Sequence, residues 1–214
     1  MKVLQTIIVC GTLFCIENYK QGAKVMKIRT ATPADAKRIS EIYAPYVTNT
    51  SISFELTAPG EDEMRSRIEN TLKDYPYIVA EDDDGVVRGY AYVGKFRVRA
   101  AYIHCAETSI YVDSEYRQSG IGRALYEELE KRVLKQNVYV LFAGITYTEK
   151  ENDPYVNDDS IRFHKKLGYT YTGEFPQCGY KFGNWYGVCW YEKNLCERPG
   201  NVKPFIPFSE MKSE

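Results

Sequence analysis

Two glycines one residue apart, in "RQSGIG" (117–122), open the amphipathic stretch "RALYEELEKRVLKQ" (123–136). Neither Gly120 nor Gly122 carries a Cβ, so their amides can approach a ligand closely. The unpaired N–H groups and the dipole of a helix N-terminus favour an anion. Arg117 and Arg123 flank the turn with positive charge. A pyrophosphate fits such a place, and so does a plain strand–helix connection. Two familiar phosphate loops are excluded. G-x-x-x-x-G-K-[ST] does not occur, and position 125, where a dinucleotide fingerprint carries its third glycine, is Leu.

Three other groups could do chemistry. Glu107 stands mid-way along the strand candidate "YIHCAETSIYV" (102–112). Alternation places it on one face with Cys105, Ser109 and Tyr111. A carboxylate there is either solvated or paired, or it is chemically employed. Arg97 and Arg99 alternate in "KFRVRAAY", and residues at i and i+2 share a strand face. Two guanidiniums on one face could grip a carboxylate bidentately, or simply form a basic strand end. His164 is one of only two histidines. Its imidazole could donate or accept at neutral pH, or merely pack.

The rest of the composition narrows the classes. The formal net charge is −1, so no bulk field recruits nucleic acid or an anionic membrane. Six cysteines without a C-x-x-C pair leave a structural metal site unsupported. They read as reduced thiols of a cytoplasmic protein. At 214 residues the chain is long enough for one well-buried domain.

The elements that must position these groups follow from periodicity. "KIRTA" (27–31) is a strand, after which Thr32 and Pro33 start a helix with Pro45 as a bend or an end. "SISFE" (51–55) is a short extended piece, and 60–75 a second helix. Strands over 77–82 and 86–97 flank a "DDDG" turn, and the strand 102–112 leads into the glycine turn and its helix. "VYVLFAGITY" (138–147) reads as a strand buried on both faces. A helix from Asn157 to Leu167 and strands over 169–175 and 185–193 complete the order. Hairpins mixed with a β-α-β crossover give an α+β, or mixed α/β, sheet. Residues 1–25, with the apolar run "VLQTIIVCGTLFCI" too short to span a bilayer, read as an extension or translated leader outside a domain over 26–196. Residues 197–214 read as an irregular tail.

R-x-x-G-x-G after "AETSIYV", followed by "NDDSIRFHKKLGY" (157–169) and "GYKFGNWYGVCWYEKNL" (179–195), resembles the GNAT superfamily of acyl-CoA-dependent N-acyltransferases. With "IYAPYV" (42–47) and "SISFE", the likeness is to its phosphinothricin acetyltransferase-like branch. It covers about residues 26–195. It implies a twisted, mostly antiparallel sheet of about seven strands flanked by about four helices.

The resemblance also implies roles. Ile110, Tyr111 and Val112 would offer backbone to the pantetheine arm of acetyl-CoA. The amides of Gln118, Ser119, Gly120, Ile121, Gly122 and Arg123 would cradle its pyrophosphate beside Arg117, with Asn157 and Ser160 as further contacts. Glu107 would be the general base and His164 the acid near the sulfur. Arg97 and Arg99 would recognise an amino-acid-like acceptor walled by Phe54 and Tyr102. The implied reaction is direct transfer of acetyl from acetyl-CoA to a small amine in a ternary complex, without a metal. A homodimer is implied, and neither nucleic acid nor membrane is a partner. Two rivals stand beside this reading: a protein or peptide N-acetyltransferase, and a non-catalytic acyl-CoA-binding module. A mere binder needs neither Glu107 nor His164.

Overall fold

The computed structural model describes residues 26–211; the extension over 1–25, with Cys10 and Cys15, lies outside the described residues. Seven strands and four α-helices follow one another as β1 (Lys27–Thr30), α1 (Ala36–Thr48), α2 (Glu61–Asp74), β2 (Tyr77–Glu81), β3 (Val87–Lys95), β4 (Cys105–Val112), α3 (Ile121–Lys135), β5 (Val140–Tyr147), α4 (Asp159–Lys166), β6 (Thr170–Lys181) and β7 (Asn184–Asn194). They form one sheet in the order β1-β2-β3-β4-β5-β7-β6. Every neighbouring pair is antiparallel except β4–β5. The expected mixed α/β sheet is thus present.

Sequence explains the helices. Asp35 accepts from the Thr32 amide and hydroxyl in a capping box ahead of Pro33. Three acidic residues, Glu61, Asp62 and Glu63, begin α2 and Lys73 lies in its last turn, matching the dipole. Pro45 stays inside α1, which continues to Thr48. The fourfold spacing of Ile121, Leu125, Leu129 and Val133 puts them all on the face of α3 that meets the sheet at Ala91, Val93, Ala106 and Leu141. On the opposite face, Ile39 and Val47 of α1 and Ile68 of α2 cover Tyr77, Val79 and Tyr90. Each such aliphatic side chain taken from water stabilises the fold by about 1.5–3 kcal/mol.

Two expected strands are corrected. "SISFE" is not extended pairing but a looped segment, because its polar groups bond to other parts of the chain rather than to a neighbouring strand. Ser53 Oγ pairs with the Tyr43 hydroxyl at 2.7 Å, and Ser51 N–H donates to the Tyr155 carbonyl at 3.0 Å. The strand expected over 86–97 stops at Lys95. Phe96 leaves the ladder to stack on Phe142, with ring centroids 4.0 Å apart. The chain then runs through a short 3-10 turn, Ala100–Tyr102, into β4.

Beyond β7, residues 197–211 contain one 3-10 turn, Phe208–Glu210. This segment is tied to the helix ends: Gln136 Nε2 donates to the carbonyls of Asp74 (2.7 Å) and Ile206 (2.9 Å). Phe205 packs on Tyr75.

Candidate active site

The feature that makes a site is where β4 and β5 part. They pair only over Cys105–Glu107 and Val140–Phe142. From Thr108 onward β4 keeps β3 on one edge, while β5 pairs only with β7. The β5-facing edge of β4 over 108–112 therefore has no partner strand; the Val112 carbonyl accepts from the Tyr46 hydroxyl, and the rest of that edge is left to something other than a strand. A cavity of about 920 Å³ opens at this divergence. It reaches both faces of the sheet, from Tyr46, Thr50 and Ile52 on the α1 side to Tyr126, Phe163 and His164 on the α3–α4 side.

The glycine turn forms one end of the cavity. Gln118 and Gly120 both adopt left-handed backbone, with φ of 62° and 88°. Alternation of left- and right-handed residues turns successive N–H groups toward one concavity. Among the described residues, the amides of Gln118 to Arg123 have no intramolecular acceptor; the first helical bond is Ala124 N–H to the Gly120 carbonyl. The two glycines serve different ends. A Cβ on Gly120 would meet nothing within 4 Å, so glycine is needed there for its φ and for what comes from outside. A Cβ on Gly122 would lie 3.0 Å from Phe163, so glycine there lets α4 approach α3. Arg117 lies over the Tyr46 ring at 5.1 Å, and Arg123 stands 3.7 Å from Glu127.

Of the predicted residues, Ile110, Tyr111, Val112, Arg117, Gln118, Gly120, Ile121, Gly122, Arg123, Asn157, Ser160 and His164 line this cavity. Ser119 turns aside, its hydroxyl donating to the Tyr116 carbonyl. Asn157 bonds with both amide atoms to Asp159, fixing the start of α4.

His164 is 4% exposed. Its Nδ1 lies 2.8 Å from the Ser160 carbonyl and its Nε2 3.0 Å from the Tyr126 hydroxyl. The carbonyl can only accept, so Nδ1 carries the proton and Nε2 accepts from Tyr126. Burial lowers the pKa to about 4, opposed by the Ser160 bond, so the imidazole is neutral at physiological pH. The depressed value fixes a sign: the unfolded chain takes up this proton first, near 6.5, and stability falls as pH drops from there toward about 4. At pH 5 this costs about 2 kcal/mol relative to neutral pH. Urea titrations at pH 7.5 and pH 5 should show His164→Gln losing that much less stability on acidification than the wild type.

Glu107 sits at the last β4–β5 pair, opposite Gly94 and Phe142, half-buried and outside the cavity wall. It faces the α1–α2 side, as its alternation with Tyr111 requires; Tyr111 meets Tyr43 and Tyr46 edge-on. Burial raises the Glu107 pKa, and the nearby Arg97 opposes the rise.

Arg97, Arg99, Phe54 and Tyr102 also lie outside the cavity wall. Because β3 ends early, Arg97 and Arg99 share no strand face. Arg97 lies over the rings of Phe96 (4.3 Å) and Trp190 (5.5 Å), while Arg99 is exposed at the start of the 3-10 turn. Tyr102 meets Phe96 edge-on and is 39% exposed. Phe54 packs on Gly179 of β6, where a Cβ would fall 2.2 Å from its ring.

Sequence reasoning missed Tyr46 and Tyr126. Tyr46 donates to the Val112 carbonyl at 2.5 Å and so holds the end of β4 open. Both sit at helical positions that read as ordinary core. The abundance of tyrosine, 19 residues, was the available signal. The described residues contain no group of three or more acidic, Cys or His side chains able to hold a metal.

Residues 28–190, which hold the parted parallel pair and the amide-lined helix start, match a family model described as an acetyltransferase (GNAT) domain. The chain belongs to the GNAT acetyltransferase family. It is similar to a phosphinothricin N-acetyltransferase of Streptomyces viridochromogenes, at 31% identity over 87% of this chain and 96% of that one. It is 34% identical to an L-methionine sulfoximine/L-methionine sulfone acetyltransferase of Salmonella typhimurium, over 80% of this chain and 96% of that one. Among solved structures, a GNAT phosphinothricin acetyltransferase from Sinorhizobium meliloti in complex with AcCoA matches with a TM-score of 0.74 at 33% identity, covering 86% and 98% of the two chains. This GNAT acetyltransferase therefore shares its fold with its relatives across nearly their whole length. None of its described helices is long and apolar enough to cross a membrane.

Proposed function

We propose that the protein transfers acetyl from acetyl-CoA to the amine of a small amino-acid-like acceptor, of the phosphinothricin or methionine sulfoximine type. The observation that carries this reading is the run of acceptorless amides from Gln118 to Arg123, in the same cavity as the edge of β4 that has no partner strand. The amides suit the pyrophosphate, and the strand edge suits the amide-bearing pantetheine arm. The names of the relatives supply the acceptor class.

Bound acetyl-CoA supplies a thioester carbonyl open to attack. Glu107, with its raised pKa, takes the proton from the attacking amine through a water molecule, since it stands just outside the cavity wall. A backbone N–H near Val112 faces the carbonyl oxygen as charge develops on it. On the α3–α4 side, both ring nitrogens of neutral His164 are engaged, so the role expected of it as acid passes to its partner: the Tyr126 hydroxyl turns from Nε2 to donate a hydrogen bond to the departing sulfur, and CoA leaves as the thiolate while the proton of the amine rests on Glu107. Arg97 is the nearer of the two predicted acceptor arginines to Glu107 and meets the acceptor carboxylate, with Arg99 more remote. Phe54 and Tyr102 wall the acceptor side.

The four described cysteines are free thiols, which agrees with a cytoplasmic protein. Tyr171, Phe175, Tyr180 and Trp185 lie exposed on the edge hairpin β6–β7 and favour a homodimer through that hairpin. The reading is tested by following CoA release with methionine sulfoximine, phosphinothricin, amino acids, polyamines and peptides. Turnover with the first two is expected. Tight acetyl-CoA binding without turnover of any amine would leave an acyl-CoA-binding module instead, and turnover confined to peptides would favour the protein-acetylating rival.

A further inference from the structure

One buried cation has no part in the chemistry above. Lys181, the last residue of β6, is 5% exposed. Its ammonium donates to the Val47 carbonyl at 2.7 Å and the Ser53 carbonyl at 2.6 Å, and lies 5.2 Å from the centroid of the Phe182 ring. Val47 is in the last turn of α1, where carbonyls lack helical partners and the dipole is negative. Ser53 belongs to the irregular segment between α1 and α2. A lysine is rarely taken from water unless its charge is met. Glu55 is the acidic group facing it, and Glu55 is itself held by Arg67 at 2.7 Å.

What the ammonium ties together is the α1-side wall of the cavity. Thr50 and Ile52, which line that wall, lie between its two carbonyl anchors in the chain. The segment has no strand pairing of its own. Its other ties include the Thr146 hydroxyl to the Ile52 carbonyl (3.3 Å), Ser51 N–H to the Tyr155 carbonyl (3.0 Å), the Ser53 hydroxyl to that of Tyr43 (2.7 Å), the Thr50 hydroxyl to the Tyr46 carbonyl (2.6 Å), and the Phe54 ring packed on Gly179 of β6. Phe182 completes the hub by stacking on Tyr155, a further wall residue, with ring centroids 4.3 Å apart.

We propose that Lys181 is a positioning residue for the acceptor amine, clamping residues 47–54 to the β6–β7 hairpin and so fixing the width of the cavity on the α1 side. The proposal rests on the proposed function: Glu107, the base that meets the acceptor amine, faces the α1–α2 side, so the acceptor is taken to enter from there. The donor cradle at α3 does not touch the clamp, so losing it should separate the two substrates kinetically.

The test is steady-state kinetics of Lys181→Met with methionine sulfoximine and acetyl-CoA. KM for methionine sulfoximine should rise about tenfold or more, the order expected when charge-assisted hydrogen bonds holding a wall are lost. KM for acetyl-CoA should stay within about twofold of the wild type. A purely structural lysine would lower the active fraction, and with it kcat, without separating the KM values. Phe182→Asn is the second variant, since asparagine tolerates the left-handed backbone at this position (φ 49°). It should shift the acceptor KM in the same direction, by about threefold, and keeps the proposal open to refutation if Lys181→Met does not fold. Unchanged KM values, or equal rises for both substrates, in the variants that fold would overturn the proposal alone. No turnover of methionine sulfoximine or phosphinothricin by the wild type would overturn the acceptor reading and this proposal with it.

Discussion

Glu107→Gln is expected to lower kcat for amine acetylation by about two to four orders of magnitude, the usual span for removing a general base. The substitution keeps size and polarity at a half-buried position on β4, so stability should change little. Acetyl-CoA binding should also be retained, because Glu107 lies outside the wall of the donor cavity. The pH profile supplies the sign. The base works ionised, so kcat/KM falls as pH drops through its pKa, which burial has lifted above the ordinary 4.5. Arg97 opposes that lift. Arg97→Gln should therefore move the acidic limb to higher pH while Glu107→Gln abolishes it. Pre-steady-state acetyl transfer measured across pH with both variants checks the pair. A Glu107→Gln enzyme with full kcat at every pH would remove the assignment.

The second large effect is expected at Gly120. Valine there is forced into left-handed backbone, at a cost of about 1–2 kcal/mol for most L-residues and more for a β-branched one. No protein atom lies within 4 Å of the new Cβ, so the side chain points into the space a ligand would approach. Displacing even one or two amide hydrogen bonds to a phosphate should weaken acetyl-CoA binding by about 10- to 100-fold. KM for the acceptor should stay near its wild-type value. Calorimetric titration with acetyl-CoA reads the donor side directly. Gly122→Ala is a useful contrast, because its Cβ would press on Phe163 and shift α4.

The glycine turn was legible because its causes are local. Two left-handed positions and a helix start are properties of a few adjacent residues. The facing of Glu107 was legible for the same reason, since alternation along β4 is simple geometry. Arg97 and Arg99 were not. Alternation applies only while a strand lasts, and stacking of Phe96 on Phe142 ends β3 two residues too soon. "SISFE" has the β-branched and aromatic residues of a strand, but Lys181, distant in the chain, takes its carbonyl from the ladder. His164 shows the same limit in another form. Its identity is written in the sequence, while its neutral state is imposed by the burial of the ring in the folded chain, against the bond to the Ser160 carbonyl. Tyr46 and Tyr126 joined the site through tertiary contacts, each by a hydroxyl bond to a residue distant in the chain.

The short parallel contact between β4 and β5 has a consequence for the order of events. Three paired residues leave a slot that pierces the sheet, with one mouth by α3 and α4 and the other by α1. Two reactants can then arrive through separate doors and meet inside the slot. On the proposed function, an acceptor at the α1 mouth and acetyl-CoA at the other would not block each other's exit, so either product would be free to leave first. A slot of this kind makes turnover a through-passage rather than a queue.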